Sequence, residues 1–158
     1  KNNKANPAVY YNGSYTLKNP TRKGYVFKGW FADRWFDEQI KKITSKNADG
    51  LTLYAKWEKV KVANEKITSV TRKKADRIVL KYTAVSKAKG YEITYATDKK
   101  FKKNCKVVTT KAKSITLKKL QSKKTYYVKV RAYKLDSAGN KIYGKYSAVK
   151  TVKTAKSK

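Results

Sequence analysis

The chain has 158 residues, with 41 Lys or Arg against 10 Asp or Glu, a formal net charge of +31 and no histidine. Lacking histidine it has neither imidazole acid–base chemistry nor a His-ligated metal, and its single Cys105 can supply no internal disulfide and no Cys-cluster metal site. Such a charge attracts polyanions in general, but only five of the basic residues are Arg, the side chain that bidentate phosphate and guanine recognition favours, which weighs against specific nucleic-acid binding.

The first 60 residues carry 12 basic and 5 acidic side chains, so most of the charge belongs to the remainder. After "KNNKANPAVYYNGSYTL", Gly24 and Gly29 bracket "YVFK", in which Val26 and Lys28 alternate against Tyr25 and Phe27. The spacing predicts a short strand between two sites of unusual backbone conformation or close approach. "DRWFDEQIKKI" spaces Trp35, Ile40 and Ile43 irregularly and fits a helical turn or an irregular strand equally. The turn "NADG" then leads into "LTLYAKW", a second predicted strand. "EKVKVANEK" follows as a short extended linker whose Val60 and Val62 could open the next module.

Beyond the linker, period-2 alternation marks strands with one buried face. The inward sets are Ile78, Leu80 and Tyr82; Tyr91, Ile93 and Tyr95; Ile115 and Leu117; and Tyr126, Val128, Val130 and Ala132. Turn-rich stretches such as "SKAKG", "TDKKFKKN" and "LDSAGN" separate them, and short strands at 8 to 12 residue spacing predict an all-β sandwich of about 100 residues. No apolar run approaches the roughly 18 to 20 residues that span a bilayer, so membrane insertion is not expected. The chain contains no Met, which suggests an interior segment with any signal or anchor elsewhere.

Taken together, "NPTRKGYVFKGWFAD" and "LTLYAKW" resemble the Listeria–Bacteroides repeat, also called the internalin B repeat, over about residues 7 to 58. The resemblance implies a small β-grasp-like module, placed at residues 1–59. Such repeats usually open with a strand and a Gly-rich turn, so this one is expected to lack its first strand, leaving a sheet edge open to self-association. Residues 64 to 154 resemble a bacterial fibronectin type III domain, an immunoglobulin-like β-sandwich placed at residues 60–158. That likeness rests on "GYEITY", on Leu120 six positions before Tyr126 as in a tyrosine corner, on "YYVKVRAY" and on Ser147. Tyr82 stands where the family usually has Trp, and "KLDSAGNKI" lacks the Arg-Gly-Asp of some animal members.

Candidate sites each have a simpler structural explanation. Tyr25, Phe27, Trp30, Tyr54 and Trp57 could stack on sugar rings, but a unit this small needs them as core. Tyr127, Lys129, Arg131 and Tyr133 share the outward face of one strand about 7 Å apart and form the candidate ligand face, suited to an anionic glycan or a single-stranded nucleic acid; the plainer reading is a solvated sheet surface. Asp33, Asp37 and Glu38 sit close in sequence, but a glycosidase pair needs a cleft that cannot be inferred in so small a unit, Ca²⁺ loops are spaced more tightly, and "LDSAGN" offers only Asp136 and Asn140. Cys105 sits among lysines that would lower its pKa if exposed. No cofactor and no metal is expected.

The resemblances imply non-catalytic stalk or adhesion modules of a cell-surface or secreted protein of a Gram-positive-type bacterium. With the charge, they point to partners among anionic cell-wall polymers. Two other readings stay open: specific recognition of a surface glycan or host protein, and accessory modules of a multidomain extracellular enzyme.

Overall fold

A computed structural model describes residues 3–6, 10 and 12–156. The chain divides into two compact units, one of Lys1–Val60 with Leu135–Asn140 and one of Lys61–Lys134 with Lys141–Lys158. Strands form the regular structure of both, and no helix occurs among the described residues.

The first unit contains β1 (Ser14–Tyr15), β2 (Tyr25–Phe31), β3 (Gln39–Ile40), β4 (Ile43–Thr44) and β5 (Tyr54–Lys59). These make an antiparallel sheet of order β3-β2-β5 and a ribbon of β1 with β4. The expected missing first strand concerns a segment of which residues 1, 2, 7–9 and 11 lie outside the described residues. The "YVFK" strand extends through Gly29 to Phe31, with a register shift between Phe27 and Gly29. Gly24 (φ 80°) and Gly29 (φ 138°) both hold backbone conformations that side chains resist. The bulge brings Phe27 and Trp30, three apart in sequence, onto one cluster: Phe27 meets Trp30 edge-on at 5.3 Å and Trp57 at 5.4 Å.

Pro20, Phe31 and Ile40 are the buried apolar side chains among the described residues of this unit, while Phe27, Trp30 and Trp57 are half-buried. Tyr54, expected inside, is exposed. "LTL" is not a strand because β2 ends at the Phe31–Tyr54 pair and offers no partner further on. The undecided "DRWFDEQIKKI" resolves into a turn followed by β3 and β4. Asp33 holds that turn together, accepting from the backbone N–H groups of Trp35, Asp37 and Glu38.

The second unit contains β6 (Ile67–Lys74), β7 (Arg77–Tyr82), β8 (Gly90–Ala96), β9 (Lys106–Thr110), β10 (Ser114–Leu117), β11 (Thr125–Leu135), β12 (Lys141–Tyr143) and β13 (Lys150–Lys153). One sheet has the order β10-β7-β6, the other β12-β11-β8-β9 with β13 also paired to β11. The inward sets of β7 and β11 alternate as predicted, and Ile78, Leu80, Ile93, Val128 and Val130 are fully buried between the sheets. Each such side chain contributes about 1.5 to 3 kcal/mol by leaving water. The Tyr126 hydroxyl accepts from the Gln121 N–H at 3.0 Å, closing the expected tyrosine corner, and Tyr82 is buried with its hydroxyl donating to the Ala112 carbonyl. Of the predicted linker, Glu58 and Lys59 are the end of β5, paired with Val26 and Tyr25, and the Val60 N–H donates to the Gly24 carbonyl; residues 61–66 form no strand, and β6 starts at Ile67.

One expectation fails on β8. All seven of its residues are buried, so the strand is covered on both faces rather than one. The cover on the outer face comes from the segment after β12, far away in sequence.

Candidate functional site

Antiparallel pairing of β8 with β11 fixes the outer face of this sheet. Lys129 lies opposite Thr94, Arg131 opposite Glu92 and Tyr133 opposite Gly90. Because side chains alternate across a strand, Tyr127, Lys129, Arg131 and Tyr133 do share one face, all half-buried.

That face is occupied by the protein's own groups. The Arg131 guanidinium meets Glu92 Oε1 at 2.7 Å through Nη2, and its Nε donates to the same oxygen at 2.8 Å. Tyr146 donates to Glu92 Oε1 at 2.9 Å, and its hydroxyl lies 3.0 Å from Thr94 Oγ1. Burial pushes the Glu92 carboxyl up, but the hydrogen bonds from Tyr146 and Arg131 and the charge of Arg131 outweigh it, so the group is held below its ordinary value. Burial likewise raises the Tyr146 and Tyr143 hydroxyls, which remain protonated donors at neutral pH.

The cations stack on neighbouring rings. Lys129 Nζ sits 4.2 Å from the ring centres of both Phe101 and Tyr146, and Arg131 lies 3.9 Å from Tyr143 and 4.5 Å from Tyr146. Tyr133 packs beside Tyr143 at 5.7 Å, carries Lys141 over its ring, and covers Gly90 so closely that a Cβ there would meet its hydroxyl at 2.7 Å. The candidate ligand face is therefore a cross-strand ladder with its hydrogen bonds and cation–π contacts already made.

Sequence reasoning missed Glu92, Phe101, Tyr143 and Tyr146. Only Glu92 left a signal, an acid within the otherwise uncharged "GYEITYA" of a chain short of acids.

The remaining candidates are structural or isolated. The Asp33 carboxylate is committed to its turn. Asp136 accepts from the N–H groups of Ala138 and Asn140 and from the Asn140 side chain, closing its own loop. No cluster of three or more Cys, Asp or Glu able to hold a metal occurs among the described residues. Cys105 is exposed and unbonded. Trp35 is 68% exposed at the tip of its turn, with the Arg34 guanidinium over its ring.

Comparison with known proteins accords with both halves of this architecture. The profile of the Listeria-Bacteroides repeat domain matches residues 1–56, and that of the fibronectin type III domain matches residues 61–144. Among solved structures, the sixth fibronectin type III domain of human fibronectin type III domain containing protein 3 is 19% identical, with a TM-score of 0.50 over 64% of this chain and 92% of its own. The FN1–FN3 domains of chicken CNTN1 are 23% identical, with a TM-score of 0.50 over 73% of this chain and 41% of theirs. These likenesses are of fold. No protein of curated function matches the chain.

Proposed function

Since the chain belongs to the fibronectin type III family and carries a Listeria–Bacteroides repeat ahead of that domain, modules typical of extracellular or surface bacterial proteins, we propose that it serves as a non-catalytic stalk and attachment element outside a bacterial cell. It spaces or anchors a neighbouring domain, and it holds to anionic wall polymers through its charge of +31. The observation that carries this reading is the satisfied ladder on β11. A face that binds its own lysine and arginine with its own aromatics has little left with which to grip a glycan, whereas the unpaired surface lysines act together at a distance.

The test is co-sedimentation of the chain with a poly(glycerol phosphate) polymer at about 0.05 M and about 0.5 M salt, across which the screening length shrinks severalfold. Binding that is strong at the lower salt and lost at the higher is expected. Absence of binding at the lower salt overturns the reading.

A second reading, recognition of a glycan or a host protein, draws on Trp35 and Arg34 at an exposed turn tip. Exposed Trp and Arg are the residue types that anchor interfaces. Retention of one neutral glycan or protein at high salt, lost in Trp35→Ala, would favour it.

A further inference from the structure

A pocket of about 190 Å³ opens where the end of β8, the entry to β9 and the β10–β11 connection meet. It is far larger than the roughly 10 to 15 Å³ that a single water needs. Every polar side chain lining it can donate: Tyr95, Thr97, Asn104, Lys106, Lys119 and Tyr126, with Gln121 beside them. No carboxylate lines it.

Two of these donors are built in rather than incidental. Tyr95 and Tyr126 are each 7% exposed, with ring centres 6.3 Å apart. Tyr126 Oη accepts from the Gln121 N–H, which leaves its own hydrogen to donate. The Tyr95 hydroxyl has no hydrogen-bond partner among the described residues and lines the pocket without being sealed from solvent, so it is free to donate to a ligand there. Lys106 and Lys119 take part in no ion pair among the described residues and bring two positive charges to the same space.

We infer that this pocket seats a phosphate group, with Tyr95 and Tyr126 donating hydrogen bonds and Lys106 and Lys119 supplying the charge. A tetrahedral oxyanion offers several acceptors in different directions, matching three hydroxyls, two amides and two ammonium groups better than a monatomic anion does. Burial and the neighbouring Tyr126 push the Tyr95 hydroxyl up, so it remains a donor at neutral pH. The inference rests on the attachment reading above and deepens it, giving one phosphate of the polymer a defined seat.

The experiment follows backbone amides of the ¹⁵N-labelled full chain on titration with inorganic phosphate, against sodium chloride at matched ionic strength. Saturable shifts confined to the neighbourhood of Tyr95, Asn104, Lys106 and Gln121 are expected, with a Kd of about 1 mM for so small a ligand. Tyr95→Phe, which removes one oxygen, should weaken binding about tenfold, as loss of a hydrogen bond to a charged group does. Lys119→Gln, at an exposed position that leaves the core untouched, supplies the same test should Tyr95→Phe disturb the fold. Shifts spread over the lysine amides without saturation, shifts equal to those in chloride, or variants that both bind as the parent does would overturn it. Co-sedimentation with poly(glycerol phosphate) separates the two claims: polymer binding without pocket shifts sinks the pocket alone, and pocket shifts without polymer binding sink the attachment reading.

Discussion

Arg131 and Glu92 face each other across the β8–β11 register and meet at 2.7 Å, with the guanidinium partly open to water and the carboxylate nearly sealed from it. The two ends of this pair are therefore unequal. Glu92 depends on its partners for solvation, whereas Arg131 can turn to solvent and to the rings of Tyr143 and Tyr146.

Removing the arginine should consequently cost more than removing the acid. Arg131→Met strands a buried carboxylate and is expected to destabilise the second unit by about 2 to 3 kcal/mol, against about 1 kcal/mol for Glu92→Gln. Urea denaturation followed by tyrosine-region circular dichroism measures both, and a larger cost for Glu92→Gln would contradict the account. Because the Glu92 carboxyl is held below its ordinary value, its contribution is complete at neutral pH and is lost as pH falls through the folded-state value.

Glu65 runs the other way. The residue is 2% exposed, neither carboxyl oxygen has a hydrogen-bond partner among the described residues, and burial pushes the group up, with the Ala132 backbone pulling it back only in part. A carboxyl raised in the folded state supports folding below its unfolded value and opposes it as pH rises through the folded one. Glu65→Gln should therefore raise stability at neutral pH by about 1 kcal/mol, with the gain shrinking as the solution is acidified. A variant no more stable than the parent at neutral pH, or a gain that grows in acid, would refute this.

Gly24 and Gly29 differ in what surrounds them. At Gly24 nothing lies within 4 Å of an added Cβ, so Gly24→Ala meets only the left-handed backbone and should cost about 1 to 2 kcal/mol. Gly29→Ala combines φ 138° with the Gln39 side chain packed on it and should cost more. All three tryptophans, Trp30, Trp35 and Trp57, lie in this first unit, so tryptophan fluorescence during denaturation reports it selectively. Equal midpoints for the two variants would show that the crowding at Gly29 relaxes freely.

Much of the fold was legible because period-2 alternation is a local property. The inward residues of β7 and β11 follow from spacing alone, and so does the shared face of Tyr127, Lys129, Arg131 and Tyr133. What fills that face was not legible, since Tyr146 reaches Glu92 from 54 residues away and no local pattern encodes the meeting. The two glycines announced unusual backbone, yet a glycine does not say whether it ends a strand or bulges within it, and Gly29 bulges. "LTL" carried a strand signal that had no partner to pair with. The donor pocket was equally hidden, because its residues come from three strands and the two connections after β8 and β10 and mean nothing together until the sheets close.

The burial of β8 on both faces also bears on survival among proteases. The chain presents 41 lysines and arginines, each a potential cut for a trypsin-like enzyme, yet Gly90–Ala96 contains none of them. Cleavage at those borne by β6, β7, β9 and β11 requires the sheets to part, whereas Lys99, Lys100, Lys102 and Lys103 stand exposed in the turn before β9, where cutting needs no such opening.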